Sequence, residues 1–242
     1  MVRYYSREVP KILNRKERER IGRQIIGVLG SRLSGTEELS CLDIGCSSGV
    51  ITNLLAGRFG KVVGVDVDED ALAAARKNFR KKNTTFLGMD ASDLKFKNGT
   101  FDVVIANQVY EFVDDDRKVF KEIRRVLKPG GICFFGARNK YAIMEAQYNL
   151  PFLAWLPKWL SDLIVRAGGK GSEFVGRYRS YWGLRQLVKG FRVHDYTTKI
   201  LRDPKKFNFT KLEKYKIFMR TIPLSAIYPF IPNYIWILEK PY

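Results

Sequence analysis

Two carboxylates at matching places in two apolar runs carry most of the chemistry legible in this chain of 242 residues. Asp43 lies near the end of Ser40-Cys-Leu-Asp-Ile44, and Asp66 closes Lys61-Val-Val-Gly-Val-Asp66. The turn Gly45-Cys-Ser-Ser-Gly49 follows the first run and leads into a helix start at Val50. Gly45 and Asp66 stand 21 residues apart. That spacing fits a nucleotide-type ligand lying across two adjacent parallel strands, its ribose hydroxyls held by the second acid in a charge-assisted bidentate contact. Glycine at 45 and 49 is expected to let the backbone approach the ligand, since a side chain there would stand between them. The turn lacks the third glycine of a pyrophosphate cradle, so an adenosine-bearing ligand without a diphosphate suits it better.

The elements that must hold these residues follow from the hydrophobic rhythm. Ser40–Ile44, Lys61–Asp66, Thr84–Gly88, Phe101–Ala106 and Gly131–Gly136 read as strands. Helical patterns cover Val50–Arg58, Asp70–Lys81 and Asp115–Leu127, with Asp68 or Asp70 available to cap the second. Strand–helix alternation of this kind is an α/β fold, a parallel sheet with helices on both faces and ligands at the carboxyl ends of its strands. Ser6–Ser31 reads as a further helix that either caps the pocket or packs on the sheet. After Ala137 the rhythm breaks. The insertion from Arg138 to Gly190 has two prolines and two tryptophans within Leu150–Arg166, which predicts short helices joined by turns. A Gly168-Gly-Lys-Gly171 link, the aromatic-basic run Arg177–Trp182 and a helix over Gly183–Lys189 follow. Strands at Phe191–Ile200 and Tyr234–Leu238 are expected to pair antiparallel at the sheet edge. The chain thus reads as one domain: an N-terminal helix (1–32), a core (33–137), an insertion (138–190), and C-terminal strands with a basic segment (191–242).

Five segments in the same order and spacing resemble a class I S-adenosylmethionine-dependent methyltransferase over Ser40 to Ala137. They are Asp43 to Gly49, Asp66, Met89-Asp-Ala91, Phe101 to Gln108, and Leu127-Lys-Pro-Gly-Gly131. The resemblance implies a Rossmann-like, doubly wound seven-stranded sheet, mostly parallel with its last strand antiparallel, carrying an inserted helical lid. It also implies S-adenosyl-L-methionine as cofactor, bound by Asp43, Gly45, Cys46, Ser47, Gly49, Asp66, Val67, Asp90, Ala91 and Asn107. In that set Asp43 would orient the loop or meet the methionine ammonium through water, Asp66 would hold the ribose, and Asp90 would accept from the adenine amino group.

Methyl transfer is an in-line displacement at a sulfonium carbon. Positioning supplies much of the rate, and a base is needed only when the nucleophile starts protonated. Many small-molecule relatives carry Leu-Glu-His where this chain has Tyr110-Glu111-Phe112, so that histidine is absent. The Asn/Asp-Pro-Pro-Tyr/Phe signature of amino-nitrogen methylation is absent too, and Cys133 sits inside a strand rather than in a catalytic motif. The candidates left for the reaction are Tyr110, Glu111, Arg138, Tyr181 and the single histidine, His194, beside Asp195. Tyr141, Tyr178, Tyr181 and Trp182 either line an acceptor pocket or pack within the insertion. Cys41, Cys46 and Cys133 have no metal-ligand spacing and read as small core residues of a reducing compartment; no metal is expected.

The net charge is +18. Leu33 to Ala137 is balanced, and the whole excess lies in the two flanks. Positive flanks favour an anionic partner, though a merely solvated basic surface has the same composition. The start Met1-Val-Arg-Tyr-Tyr has no apolar signal core, and no run of about 18 apolar residues occurs, so a cytoplasmic protein is expected. A small-molecule or lipid-like acceptor is expected, with peripheral membrane contact through Trp155, Trp159, Leu160, Leu163 and Ile164, flanked by Lys158 and Arg166. Those residues could equally form a lid packed on the pocket. RNA is the alternative acceptor, with Tyr178, Tyr181 and Trp182 stacking on bases. A cofactor-binding protein without catalysis is a third reading, disfavoured by the intact motifs.

Overall fold

The computed structural model describes residues 14–145, 148–215, 223 and 227–242. Its strands are β1 (Ser40–Ile44), β2 (Lys61–Asp66), β3 (Thr84–Gly88), β4 (Phe101–Asn107), β5 (Leu127–Arg138), β6 (Met144–Glu145), β7 (Leu150–Pro151), β8 (Arg192–Asp195) and β9 (Asn233–Glu239). Seven of them form one sheet in the order β3-β2-β1-β4-β5-β9-β8, while β6 and β7 make a separate hairpin. β1 to β5 pair in parallel, and β9 runs antiparallel to both of its neighbours. The chain enters at mid-sheet, runs outward through β2 and β3, then crosses back to place β4 beside β1. That reversal opens a crevice at the carboxyl ends of β1 and β4.

The central strands are apolar on both faces because both faces are covered. Leu42, Ile44, Val104, Ala106, Cys133 and Phe135 enter one core. Their alternates Cys41, Val103, Ile105, Ile132 and Phe134 enter the other. On this second face lie α1 (Arg15–Gly30) and α2 (Val50–Leu55), through Ile25, Val28, Leu29, Ile51 and Leu55. α3 (Glu69–Asn78) follows β2, and α4 (Asp116–Val126) buries Val119, Phe120, Ile123 and Val126 against the first face at helical spacing. Each such side chain contributes roughly 1.5–3 kcal/mol on burial. Asp68 caps α3 by accepting from the Ala71 amide at 3.1 Å, and Asp115 caps α4 from Lys118 at 3.0 Å.

The structure revises three expectations. The N-terminal helix begins at Arg15, capped by Asn14; the part predicted before residue 14 lies outside the described residues. The strand predicted over Phe191–Ile200 stops at Asp195. There the carboxylate accepts from the Thr197 amide at 2.8 Å and the Thr198 hydroxyl at 2.5 Å, turning the chain into α7 (Thr197–Arg202). The strand predicted at 234–238 pairs with β8 as expected but is not at the edge. It lies between β5 and β8, because Tyr234, Trp236 and Leu238 face one core and Ile237 the other. The short, polar β8 takes the edge instead.

The insertion holds the β6/β7 hairpin, α5 (Lys158–Ala167) and α6 (Tyr181–Leu187). It has a small core of its own, from Tyr148, Leu153, Ala154, Val165 and Phe174. No described helix is long and apolar enough to cross a membrane.

Candidate active site

A cavity of about 1490 Å³ lies at the carboxyl ends of β1, β2, β4 and β5. A site for one small ligand takes roughly 300–1,000 Å³, so this one has room for two. One half is walled by the loop after β1, the end of β2, the segment Met89–Ser92 and the α1 residues Arg18 and Ile21. The other is walled by Arg138 and Ile143 together with Ile200, Leu212, Phe230 and Ile231. α1 therefore does both jobs considered for it: Ile25 and Leu29 face the core, while Arg18 and Ile21 face the cavity.

In the first half the loop folds back over β2, with the Gly45 and Cys46 amides donating to the Val65 carbonyl at 2.8 and 3.1 Å. Gly45, Ser47 and Gly49 all hold positive φ. The Asp66 carboxylate accepts from the Ser47 amide at 2.7 Å and from the Asp68 amide at 3.0 Å, one bond per oxygen. Each oxygen thus keeps acceptor capacity for a further donor. Burial raises the Asp66 pKa, opposed by those amides. Val67, Asp90 and Ala91 line the same half, with Asp90 taking the Ser92 amide at 2.7 Å, and Asn107 also lines the cavity, at the end of β4.

Three residues assigned to the ligand from sequence stand behind the wall instead. Asp43 is buried and accepts from the Thr52 hydroxyl at 2.6 Å, tying β1 to α2 and so orienting the loop. Burial pushes its pKa up to about 6, opposed by the Thr52 bond and Arg18. Cys46 packs with Leu72, Ala75 and Phe86, and burial pushes its thiol up. A Cβ on Gly49, at φ +77°, would stand 2.8 Å from Ala75 and from the Phe86 ring. Glycine at 49 therefore serves close packing of the loop on α3 and β3.

Of the five candidates for the reaction, only Arg138 lines the cavity. The buried Tyr110 hydroxyl donates to the Arg138 carbonyl at 2.5 Å and accepts from the Arg179 amide at 3.2 Å. Glu111 is buried behind the wall. Tyr181 packs among Tyr228, Tyr234 and Trp236. His194 lies on β8, outside the cavity, with Nε2 at 2.7 Å from Glu239 and 3.1 Å from Arg32. Asp195 beside it is engaged by α7 and by the Tyr228 hydroxyl. The tyrosines do not line the cavity either: Tyr141 packs against Trp155 and Phe230, and Tyr178 is held by Glu145. With Tyr178 and Tyr181 occupied in this way, Trp182 is the exposed ring of that run, and the three form no stacking platform.

Met89 and Gln108, named from sequence only as parts of motif segments, and Asp68, named only as a cap, all stand in the cavity wall. Gln108 holds φ +57°, its amide bonds the Gly136 carbonyl at 2.7 Å and its side chain meets Arg138 at 3.4 Å. A left-handed glutamine costs about 1 kcal/mol and persists only where its surroundings over-determine it; no residue preference announces it. Among the described residues no three His, Cys, Asp or Glu side chains are grouped to hold a metal.

The methyltransferase-domain family matches residues 42–135, the span from β1 to β5. The chain is 29% identical over 197 residues to a ubiquinone biosynthesis O-methyltransferase of Acinetobacter baumannii, covering 70% of this chain and 82% of that one. It is 36% identical over 134 residues to a demethylmenaquinone methyltransferase of Lactococcus lactis, about half of each chain. A solved S-adenosylmethionine-dependent methyltransferase from Mesorhizobium loti superposes with a TM-score of 0.59 over 88% of this chain and 96% of that one; at 17% identity it speaks for the fold. Sheet order, crevice and matched motifs define a class I methyltransferase of Rossmann-like type. It is an S-adenosylmethionine-dependent enzyme. The residues present fit that cofactor: an open left-handed loop, a carboxylate with free acceptor capacity at the next strand end, and the apolar Met89 and Ala91 on either side of the acceptor Asp90.

Proposed function

We propose that this enzyme methylates a small or lipid-like acceptor, at oxygen or activated carbon, inside the cavity at the β4 and β5 ends. The observation that carries the reading is the cavity's volume of about 1490 Å³, with Ile143, Ile200, Leu212, Phe230 and Ile231 in its lining. The cofactor supplies an electrophilic methyl group when bound. Asp66 accepts from the ribose hydroxyls, Met89, Asp90 and Ala91 flank the adenine, and Gly45 with Ser47 brings the loop backbone alongside. Asn107 stands at the cofactor side of the junction, and Ile143, Ile200 and Phe230 exclude water from the acceptor. Catalysis is then mainly a matter of holding the acceptor in line with the methyl group. The quinone-type substrates named for the relatives agree with an apolar acceptor.

Ile143 and Phe230 are cavity residues that also reach the surface, where exposed Phe152, Trp155, Trp159 and Leu163 continue the apolar patch. We propose that this patch rests on a lipid surface and delivers the acceptor to the cavity mouth. Incubation with labelled cofactor and fractionated cell extract tests the activity: label is expected in an apolar, organic-soluble fraction. Label confined to RNA would overturn the acceptor class. Flotation with anionic liposomes tests the patch, with Trp159→Ser and Leu163→Ser expected to reduce binding without changing cofactor affinity.

A further inference from the structure

A cluster of buried polar groups stands behind the cavity's apolar half. Arg138, at the end of β5, presents its guanidinium to the wall with the side chain 18% exposed. Its Nη1 donates to the Tyr178 hydroxyl at 3.2 Å and lies 3.6 Å from Glu145, while Nη2 reaches Gln108 at 3.4 Å. Glu145 is itself buried, accepting from the Tyr178 hydroxyl at 2.8 Å and the Tyr148 amide at 2.7 Å. Two groups in this network are left over. Arg138 Nε is buried without a hydrogen-bond partner, and both oxygens of Glu111 are buried with no well-formed hydrogen bond, facing the Arg138 guanidinium and the backbone amides of Glu111 and Arg138. Leaving a buried donor and a buried carboxylate without a well-formed hydrogen bond costs roughly 1–3 kcal/mol each, more when charged. Arg138 faces two carboxylates, Glu145 and Glu111, so one negative charge of the cluster is surplus.

We propose that Arg138 anchors an oxyanion head on an otherwise apolar methyl acceptor, and that Glu111 is a positioning residue that takes up a proton from solvent as that head arrives. The proposal rests on reading the apolar half as the acceptor site and adds the chemistry of the head group. The guanidinium is held from three sides by Gln108 just after β4, by β6 and by the segment before α6, so it meets an entering anion already oriented. A second negative charge beside Arg138 makes ionised Glu111 less favourable, and the proton it gains keeps the cluster neutralised. The groups facing Glu111 are Arg138 on β5, Tyr178 before α6 and its own neighbour Tyr110, with Glu145 on β6 across the guanidinium. Burial already pushes the Glu111 pKa up to about 7, with Arg138 and the backbone amides of Glu111 and Arg138 opposing.

Calorimetric titration of the enzyme saturated with S-adenosylhomocysteine, using octanoate and octanamide as probes, tests this. The two share one apolar chain and differ in head charge. Octanoate is expected to bind at least tenfold tighter than octanamide at pH 6, with the preference lost in Arg138→Gln and largely kept in Arg138→Lys. Octanoate stays ionised above pH 6, so its affinity should fall as pH rises through about 7, and Glu111→Gln should flatten that profile at the low-pH affinity. Equal binding of the two probes, binding of neither, or a preference that survives Arg138→Gln would overturn the anchor. An unchanged pH profile in Glu111→Gln would overturn the positioning role. S-adenosylhomocysteine affinity and melting temperature, measured on each variant, show that the fold and the cofactor half are intact. Label transfer to acceptors with neutral heads would leave the proposed activity standing while removing the oxyanion.

Discussion

The two halves of the cavity are built by different means. The cofactor half comes from one stretch of chain, residues 44–92, apart from the α1 residues above it. Its polar groups are fixed by local backbone: Ser47 and Asp68 amides on Asp66, and the Ser92 amide on Asp90. The acceptor half is assembled from β5, the insertion, α7 and the segments 209–212 and 227–235. There Arg138 is held by side chains from three separate segments, with orphaned polar groups behind it. Local backbone bonds make a site that can be fixed by a short motif. Long-range side-chain contacts make one that can change with every insertion, which is how one fold serves many acceptors.

The largest expected effect sharpens this contrast on the cofactor side. Gly49→Val puts a branched side chain at positive φ against Ala75 and Phe86, and about 3–5 kcal/mol of stability should be lost, read by denaturant unfolding. A loss of cofactor affinity with full stability would instead return Gly49 to the ligand surface. Next comes the acceptor side. The Glu111 pKa is raised in the fold, so its contribution to stability is full below the unfolded value of 4.5 and is lost as pH rises through about 7. Wild type should therefore lose up to about 3 kcal/mol relative to Glu111→Gln between pH 4.5 and 7.5, measured as unfolding midpoints across pH. A flat difference would show that the carboxylate is paired after all.

Asp66→Ala should weaken S-adenosylhomocysteine binding by about 1.5–3 kcal/mol, the scale of a charged hydrogen bond, with calorimetry as the readout. Unchanged affinity would remove the ribose assignment. The smallest effect belongs to His194→Ala. Its contact with Glu239, which Arg32 also engages, is part-buried and lies outside the cavity, so stability should change by only about 1 kcal/mol, and turnover with the identified acceptor should not change. A steep loss of turnover would bring β8 into the reaction.

Legibility followed the same division. The strands from Ser40 to Ala137 were readable because central parallel strands are apolar runs, and their helices because α4 repeats Val119, Phe120, Ile123 and Val126 on one face. The cavity position of Asp66 was readable because the turn and the second strand fix it locally. The inward packing of Cys46 and the contact of Gly49 with Ala75 and Phe86 were not legible, because sequence cannot tell which side of a loop faces α3. Which of the two readings held for His194 and the tyrosines was not legible for a related reason: their neighbours, Glu239, Tyr228 and Glu145, lie tens of residues away in the chain.

The order of apolar runs, caps and glycines by itself determined an α/β sheet, its crevice and a carboxylate waiting at the second strand end, because each of those is written in short runs of residue type whose order along the chain sets the topology. Only the tertiary structure decided that β9 would lie inside the sheet, that Gln108 would be forced left-handed, and that Arg138 would be gathered to Glu145 and Tyr178 beside a buried Glu111. Those outcomes depend on packing between segments whose separation along the chain no local preference records.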